Sequence, residues 1–476
     1  DVIIRYIRVR LGDGSYGIGS KQGKDAISIS KGKDIILDHC SSSWSLDEVL
    51  SASTKYPTLD NVTVQWCFIT EALNPDDHGF GSLIRGTRGA KYSFLHNLYA
   101  HNRGRNPRPG NYDYNPHDED PEGLLLDFRN NLIYNWGGGN AGYSNDKRSV
   151  IRLNYVGNYL IPGADSDPTG IAYSTGSPYN RAYFEGNYYN GELPEDPWDL
   201  VKYRKSWTDE DISSYKQSQP FETGPVKTED ALMAFQRVLQ EGGATLPERD
   251  AVDRRIANNV WQRTGRIINS QEEVGGWPVL KSTPAPIDTD QDGMPDAWET
   301  ANSLDPNNPD DRNNTAPDGY TMLEKYINRL VTESISRATA ESPAKKAIVL
   351  EEFVFIKRPT RDCHASCLLE LENGDLLCTW FGGTREGAPD VNIWLARKPK
   401  DGQWQSPVSV SDGDGKTLFN PVPVRLKGGD IQIYYCSPGI DNGQVITSND
   451  NGSTWSKPKQ LPEGFVGPIV NKPVYL

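Results

Sequence analysis

Long apolar runs are missing from this chain. No stretch approaches the ~20 residues that a membrane-spanning helix needs, and the longest apolar stretches are broken by Arg or Asp within a few positions. Methionine is scarce, 3 residues against 23 Tyr, 12 Trp, 45 Gly and 33 Pro, a balance that excludes a helix bundle and favours strands, tight turns and aromatic surfaces. Positive charge is in deficit: the formal charge of −14 removes the broad field that drives nucleic-acid binding, so an anionic ligand must find a local basic patch. Six cysteines are too few for a disulfide scaffold and form no CxxC pair, and Cys40 and Cys67 read as stacked core residues. Asp1 leads straight into the strand-like run Val2 to Val9 with no initiating Met or leader, so the native start is expected upstream.

What is present is an imperfect repeat. Runs at Ile35–His39, Val62–Trp66, Tyr92–His96, Leu125–Arg129, Ile151–Tyr155 and Ala182–Gly186 recur at about 26 to 33 residues, alternate apolar with polar positions, and several are followed by Asn and aromatics, as at Asn97, Asn131, Asn158 and Asn187. A period near thirty with short strands, Gly/Asn turns and no intervening helix predicts a parallel β-solenoid, because each coil buries its inner face only against its neighbours. An immunoglobulin-like sandwich would turn every ~8–12 residues.

After residue 205 the pattern changes. Glu229–Leu239 has helical spacing with Thr228 as N-cap and Gly242-Gly243 as stop, and a second helix is expected from Asp250 to Gln262; both are expected to pack on the solenoid or cap its C-terminal end. Between Asp288 and Glu299 the sequence fits the calcium-loop pattern DxDxDGx5E, with Asp288, Asp290, Asp292, Asp296, Glu299 and the Met294 carbonyl as oxygen ligands and Gly293 at the turn. The expected role is a structural clip, since no paired second loop accompanies it. A short helix near Gly319–Leu330 and a linker at 331–346 follow. Beyond Ile348 short strands return, and Ser448-Asn-Asp-Asn-Gly-Ser-Thr-Trp455 matches the SxDxGxTW turn of propeller blades, with a degenerate copy at Asp401–Trp404. Two or three blades fall short of the ~4–8 that close a ring, which predicts bare apolar blade faces.

Between His78 and Tyr112 there is no Asp or Glu, yet the stretch carries Arg85, Arg88, Lys91, Arg103, Arg105 and Arg108 with three histidines. Asp25 and the pair Asp47-Glu48 lie on coils upstream, where stacking brings acids beside this basic stretch. Carboxylates next to arginines on a groove suit a calcium-bridged polyanion: the cation neutralises a substrate carboxylate while arginines orient it.

Asp25-Ala-Ile-Ser-Ile, Ile36-Leu-Asp-His-Cys40, Trp44-Ser-Leu-Asp-Glu48, His96-Asn-Leu-Tyr99 and above all Arg105-Asn-Pro-Arg108 resemble the pectate lyases of polysaccharide lyase family 1, over about residues 1–200, with tails to 330 like those of bacterial relatives. The resemblance implies an all-β, right-handed parallel β-helix. It implies calcium-assisted β-elimination on de-esterified homogalacturonan, leaving 4,5-unsaturated oligogalacturonides, by a secreted, periplasmic or cell-surface enzyme. Arg105 then matches the residue that takes the C5 proton and Arg108 one that holds substrate, with His78, Arg103 and Arg85 as further substrate contacts. Asp25, Asp47 and Glu48 match the calcium site. Gly23, Ser51, Gly110 and His78 depart from the family pattern, which leaves the number of calcium ions open. His364-Ala-Ser366, Trp380–Glu386 and the Asp-box turn resemble the BNR-repeat, sialidase-like group, whose site would draw on Arg358, Arg385, Glu386 and Asp390.

The implied division is a β-helix at 1–205, a helical extension at 206–286, the calcium-loop segment at 287–330, the linker at 331–346 and an incomplete propeller at 347–476, in a monomer. An arginine base works against a solution pKa above ~12. In the alternative assignment Arg105 stabilises charge while His78, His101 or water takes the proton. His39 and His96 read as structural; Trp44, Tyr99 and Tyr112 fit either sugar subsites or core stacking. Two rival functions remain on the same solenoid: a non-catalytic module that binds acidic polysaccharide, and a glycoside hydrolase, which needs clustered acids as acid and base.

Overall fold

The computed structural model describes residues 2–14, 24–111, 120–279, 284–340, 352–355, 358–411, 415–438, 442–468 and 473. The chain divides into two compact units, Asp1–Val349 and Leu350–Leu476. Among the described residues no helix is long and apolar enough to cross a membrane.

In the first unit, strands with alternating burial stack in parallel, because period-two alternation puts one row of side chains inward and leaves the backbone to pair with the next coil. One sheet contains seven strands: Val2–Arg5, Gly32–Asp38, Leu59–Gln65, Ala90–Leu95, Leu124–Arg129, Ile151–Val156 and Arg181–Glu185. A second seven-stranded sheet runs from Arg8–Arg10 to Tyr188–Tyr189. The third face is built by Ile27–Ile29, Leu50–Ser53, Leu83–Arg85 and Arg108–Gly110. It continues into Gly138–Ser144 through the bonds Asn106 N to Ala141 O and Tyr143 N to Pro107 O. Ile35 pairs with Val62, Val62 with Tyr92 and Tyr92 with Leu126, so successive rungs take 27, 30 and 34 residues. This is the expected parallel β-solenoid.

Its interior is apolar, with Leu37, Val64, Phe94, Phe128, Tyr155 and Phe184 among the inward residues of the first sheet. The corner between the first two sheets solves a separate problem, since turning buries amides that no strand can pair. An asparagine ladder pairs them. Asn97 N and Nδ2 donate to Asn131 Oδ1 at 2.9 and 3.0 Å, Asn131 bonds to Asn158 and Asn158 to Asn187 in the same way, while each Nδ2 also reaches a carbonyl of the preceding rung. Cys40 and Cys67 extend this row, the Cys40 amide meeting Cys67 Sγ at 3.4 Å. Beside it His39, Trp66 and His96 hold φ values of 52 to 53° and continue a stack that begins at Tyr6, with centroid distances of 5.0 Å from Tyr6 to His39, 5.8 Å from His39 to Trp66 and 4.3 Å from Trp66 to His96, a structural use of both histidines.

Of the two expected placements, the helices take packing on the solenoid rather than capping its end. Ala231–Glu241, N-capped by Asp230 in place of Thr228, and Ala251–Gln262, N-capped by Asp250, lie along the flank of the second sheet. The reason is the outward row Phe68, Leu98, Leu132 and Tyr159, all buried, which needs an apolar cover; Phe235 packs on Tyr159 at 5.3 Å. Ion pairs fix the cover at its edge, Arg10 to Asp253 at 3.0 Å and Arg255 to the buried Glu71. The end is closed instead by residues 197–215, where Trp198, Tyr203 and Trp207 surround the buried Tyr215. The helix expected near Gly319–Leu330 runs Met322–Ala340, so residues 331–340 of the expected linker are helical, and 341–346 lie outside the described residues.

The second unit contains two four-stranded antiparallel sheets, Asp362–Glu370 to Val408–Ser409 and Phe419–Arg425 to Lys459–Gln460. The turn at Ser448 is held by Asp450, whose carboxylate accepts from the Ser453 and Thr454 amides and the Thr454 hydroxyl; these bonds, the Thr454 hydroxyl first, hold its pKa down at about 2. Val408, Leu368 and Phe465 are exposed.

Replacing Asn131 by Ala orphans the Asn97 amide and the Phe94 carbonyl together, and at about 1–3 kcal/mol per buried unpaired group the first unit should lose about 3 kcal/mol or more. Urea unfolding followed by circular dichroism measures this; an unchanged midpoint would contradict the ladder's structural role.

Candidate active site

The turn that enters the third face collects side chains from successive rungs. Glu48 bridges Phe80 and Phe80 bridges Gly104 in parallel register, while the Ala26 amide bonds to Glu48 O, so Asp25, Asp47-Glu48, His78-Phe80 and Arg103-Arg105 rise one above another. Arg105 has a φ of 57°, left-handed for a residue with a Cβ, a conformation that costs of order ~1–3 kcal/mol and persists only where neighbours enforce it. The neighbours are close. A Cβ on Gly81 would meet Asn106 Oδ1 at 2.3 Å and Arg105 O at 2.8 Å, and one on Gly142 would meet Pro107 O at 2.9 Å, so the Arg-Asn-Pro-Arg corner is gripped between two glycines. Asn106 is buried and accepts from Asn102 Nδ2 at 3.2 Å.

Asp25, Asp47 and Glu48 each bring an oxygen within 4.8 Å of the others. Burial raises the pKa of Asp25 to about 6, with the charge of Asp47 adding to the rise and hydrogen bonds from Ser51 and Ser28 and the charge of Arg105 opposing it. Arg105 forms ion pairs with Glu48 and, at 3.5 Å, with Asp47, and its guanidinium lies 3.8 Å from the centroid of Phe80. Its side chain is 12% exposed, so one edge reaches the groove. His78 Nε2 stands 3.1 Å from Asp47 Oδ1 and its ring meets Phe80 edge-on. Asp47 Oδ1 and Glu48 Oε1 are buried and receive no aligned hydrogen bond despite these cationic neighbours. Three acids converging with such oxygens fit a hard cation, which prefers carboxylate ligands.

The other expected contacts fall elsewhere on the same face. Arg85 and Arg108, from adjacent strands, both turn to Asp146, at 3.6 and 3.2 Å, and Arg108 also approaches the Tyr143 ring. Arg103 is turned away to Asp77, 3.3 Å from its carboxylate. Ser51, where the family pattern favours an acid, is buried beside Asp25; Gly23 and Tyr112 lie outside the described residues. Trp44 and Tyr99 are fully buried, so neither can be a sugar platform. His101 fails as a base for the same reason: it is enclosed, contacts Asn135 Nδ2 at 2.9 Å, and burial lowers its pKa to about 4. Phe80, Tyr143 and Asp146 escaped the sequence reading. Phe80 lies inside Gly79-Phe-Gly81, where flanking glycines hint at close approach; Asp146 carries no comparable signal.

In the calcium loop Asp288, Asp290 and Asp292 form one group and Asp292, Glu299 and Asp311 another, each with oxygens within 4.8 Å. Asp296 stands apart, both its oxygens accepting from Thr289. Among the residues named for a propeller site, Asp390 is bound to Thr384, and Arg385 and Glu386 are exposed.

A family model described as a BNR repeat-like domain matches residues 374–476. A solved structure, the Hadza microbial sialidase Hz136, aligns with 16% identity and a TM-score of 0.19 over 21% of this chain and 26% of its own, too slight a likeness to build on. Probable pectate lyase C of Aspergillus flavus is 33% identical over 338 residues, covering 70% of this chain and 73% of the relative. The probable pectate lyase C of Emericella nidulans is 33% identical over 339 residues, 70% and 72% of the two chains. With that identity along a parallel β-solenoid that carries the Arg-Asn-Pro-Arg corner, the chain belongs to the pectate lyases, which are polysaccharide lyases.

Proposed function

We propose that this enzyme cleaves de-esterified polygalacturonate by calcium-assisted β-elimination, outside the cytoplasm, to give 4,5-unsaturated oligogalacturonides. The observation that carries the reading is the convergence of Asp25, Asp47 and Glu48 on Arg105 at the edge of the third face. On this reading residues 1–205 perform the reaction, 206–286 and 287–330 are its tail, and 347–476 is a separate propeller segment without a catalytic part.

The difficult step is removal of a proton α to a carboxylate, which becomes feasible when the carboxylate's charge is neutralised and the carbanion's charge can spread. Asp25, Asp47 and Glu48 would hold a calcium ion, which when bound would supply that neutralisation. Arg105 is positioned for the proton itself. Its guanidinium faces Asp47 and Glu48, so a cation held by those acids would stand beside the base. The Phe80 face excludes water from one side and fixes the plane of the group. Arg108 and Arg85 supply the fork geometry that binds uronate carboxylates further along the face, in competition with Asp146. A hydrolase needs two carboxyl groups flanking the scissile bond ~5 to 9.5 Å apart, whereas these three acids crowd one side of a guanidinium, which favours elimination.

Incubation with polygalacturonate and calcium should therefore build up the ultraviolet absorbance of an unsaturated uronate, and a chelator should stop it. Reducing ends without absorbance would mean hydrolysis; bound polymer without product would mean a binding module. Arg105→Ala should lower turnover by about a thousandfold while the thermal midpoint in calcium stays within a few degrees, and an active variant would remove Arg105 from the mechanism. Asp146→Asn should release Arg108 and Arg85 for substrate, lowering KM several-fold at unchanged kcat; steady-state kinetics on polygalacturonate would read the split, and a raised KM would show that Asp146 positions the arginines instead.

A further inference from the structure

The five acids Asp288, Asp290, Asp292, Glu299 and Asp311 share a pattern of hydrogen bonding that the sequence loop does not contain. Asp288 Oδ2 accepts from the Gly293 amide, Asp290 Oδ1 from the Asp292 amide and Asp292 Oδ1 from the Met294 amide, at 3.0, 3.2 and 2.8 Å. Asp311 Oδ2 accepts from the Asp305 amide at 2.9 Å. In each case the other oxygen is buried and has no partner: Oδ1 of Asp288, Oδ2 of Asp290 and Asp292, and Oδ1 of Asp311. Glu299 goes further. It is fully buried, both carboxylate oxygens lack a partner, and one of them lies within 4.8 Å of oxygens of Asp292 and Asp311. Burial and the neighbouring charges of Asp290, Asp292 and Asp311 raise its pKa to about 7.

Among the described residues no lysine, arginine or histidine pairs with these acids. Burying an unpaired carboxylate costs several kcal/mol by rough count, so a cluster of this size is tenable only with a positive charge at its centre. Asp296, the ninth position of the expected loop, belongs to neither group and turns both its oxygens to Thr289, accepting from N and Oγ1 at 2.7 Å.

We infer that Asp311, which lies outside the loop, completes a site for a hard divalent cation of the calcium class together with Asp288, Asp290, Asp292 and Glu299, and that Asp296 is not a ligand. Oxygen-only donors, buried and with unused lone pairs, select calcium over thiolate- or imidazole-seeking metals. The cation then does more than stiffen one loop. Asp311 ties it to the segment Asp305–Asn314, whose Asn314 carbonyl accepts from the Met322 amide at the start of the long helix, while Trp298, next to Glu299, packs on Tyr326 at 5.3 Å. The site therefore clasps the loop to helix Met322–Ala340. It is independent of the groove chemistry.

The test is a calorimetric calcium titration of the full chain carrying Asp25→Asn and Asp47→Asn, which disables the groove site. Asp311→Asn, which keeps shape and can still accept from the Asp305 amide, should weaken the remaining site by about tenfold or more, whereas Asp296→Asn should change it by less than about threefold. Limited proteolysis should become faster within residues 287–340 when calcium is chelated, and in Asp311→Asn at limiting calcium. With the groove acids intact and calcium in excess, Asp311→Asn should retain polygalacturonate turnover. Unchanged affinity in Asp311→Asn, or an equal loss in Asp296→Asn, would overturn the assignment, and so would the absence of any calcium binding in the groove-disabled chain.

Discussion

Everything in the first unit depends on one constraint: backbone pairing between successive coils holds residues about thirty positions apart at the ~4.8 Å spacing of parallel strands. Each rung has an apolar interior that a single coil cannot cover, so pairing and burial reinforce each other along the stack. The asparagine ladder makes the register strict. A rung displaced by one residue would put Asn131 where its amide could reach neither Asn97 nor Asn158, and would leave a row of buried amides unpaired. The solenoid is thereby a ruler, and chemistry written on it at rung spacing becomes a cluster.

The groove follows from that ruler. Asp25, Asp47, Glu48 and Arg105 span eighty residues of chain yet meet because each sits at the same turn of its own rung. Burial, and after it the charge of Asp47, raises the pKa of Asp25 there, and the charge of Arg105 offsets part of the rise. The arrangement joins a guanidinium and three acids in one place, each partly balancing the other's charge. Glycines at 81 and 142 permit it by letting the corner approach both neighbours more closely than any other side chain allows.

What could be read from the sequence was whatever repeats or forms a short motif. The rungs were legible because strand alternation and the turn asparagines recur together, and the groove acids and Arg105 because contiguous motifs carry them. Long-range partners were not. Phe80 and Asp146 act through rung stacking, and Asp311 reaches its cluster across a Pro-containing turn, so nothing local marks them. Trp44 and Tyr99 were ambiguous for a related reason: alternation tells that successive side chains face opposite ways but does not tell which way is in. The helices of 231–262 were recognised as amphipathic, yet an apolar stripe does not name the surface it covers. The outward row Phe68, Leu98, Leu132 and Tyr159 makes that choice, and it becomes visible only once the rungs are stacked.

The two acid clusters of the first unit also explain each other by contrast. At the third face, the carboxylates share their charge with a guanidinium that keeps some exposure, so the protein itself supplies part of the balance. In the loop, each of the four aspartates commits one oxygen to the backbone and leaves the other without a partner, Glu299 leaves both, and they meet no cationic side chain among the described residues, so nothing there competes for the charge they need. The first arrangement suits turnover, because weakly held and replaceable charges are what a reaction can rearrange. The second suits permanence, since its electrostatic cost is met only while a cation stays. An arginine among the acids thus separates a cluster whose charge the protein balances itself from one that it leaves to a partner of opposite charge.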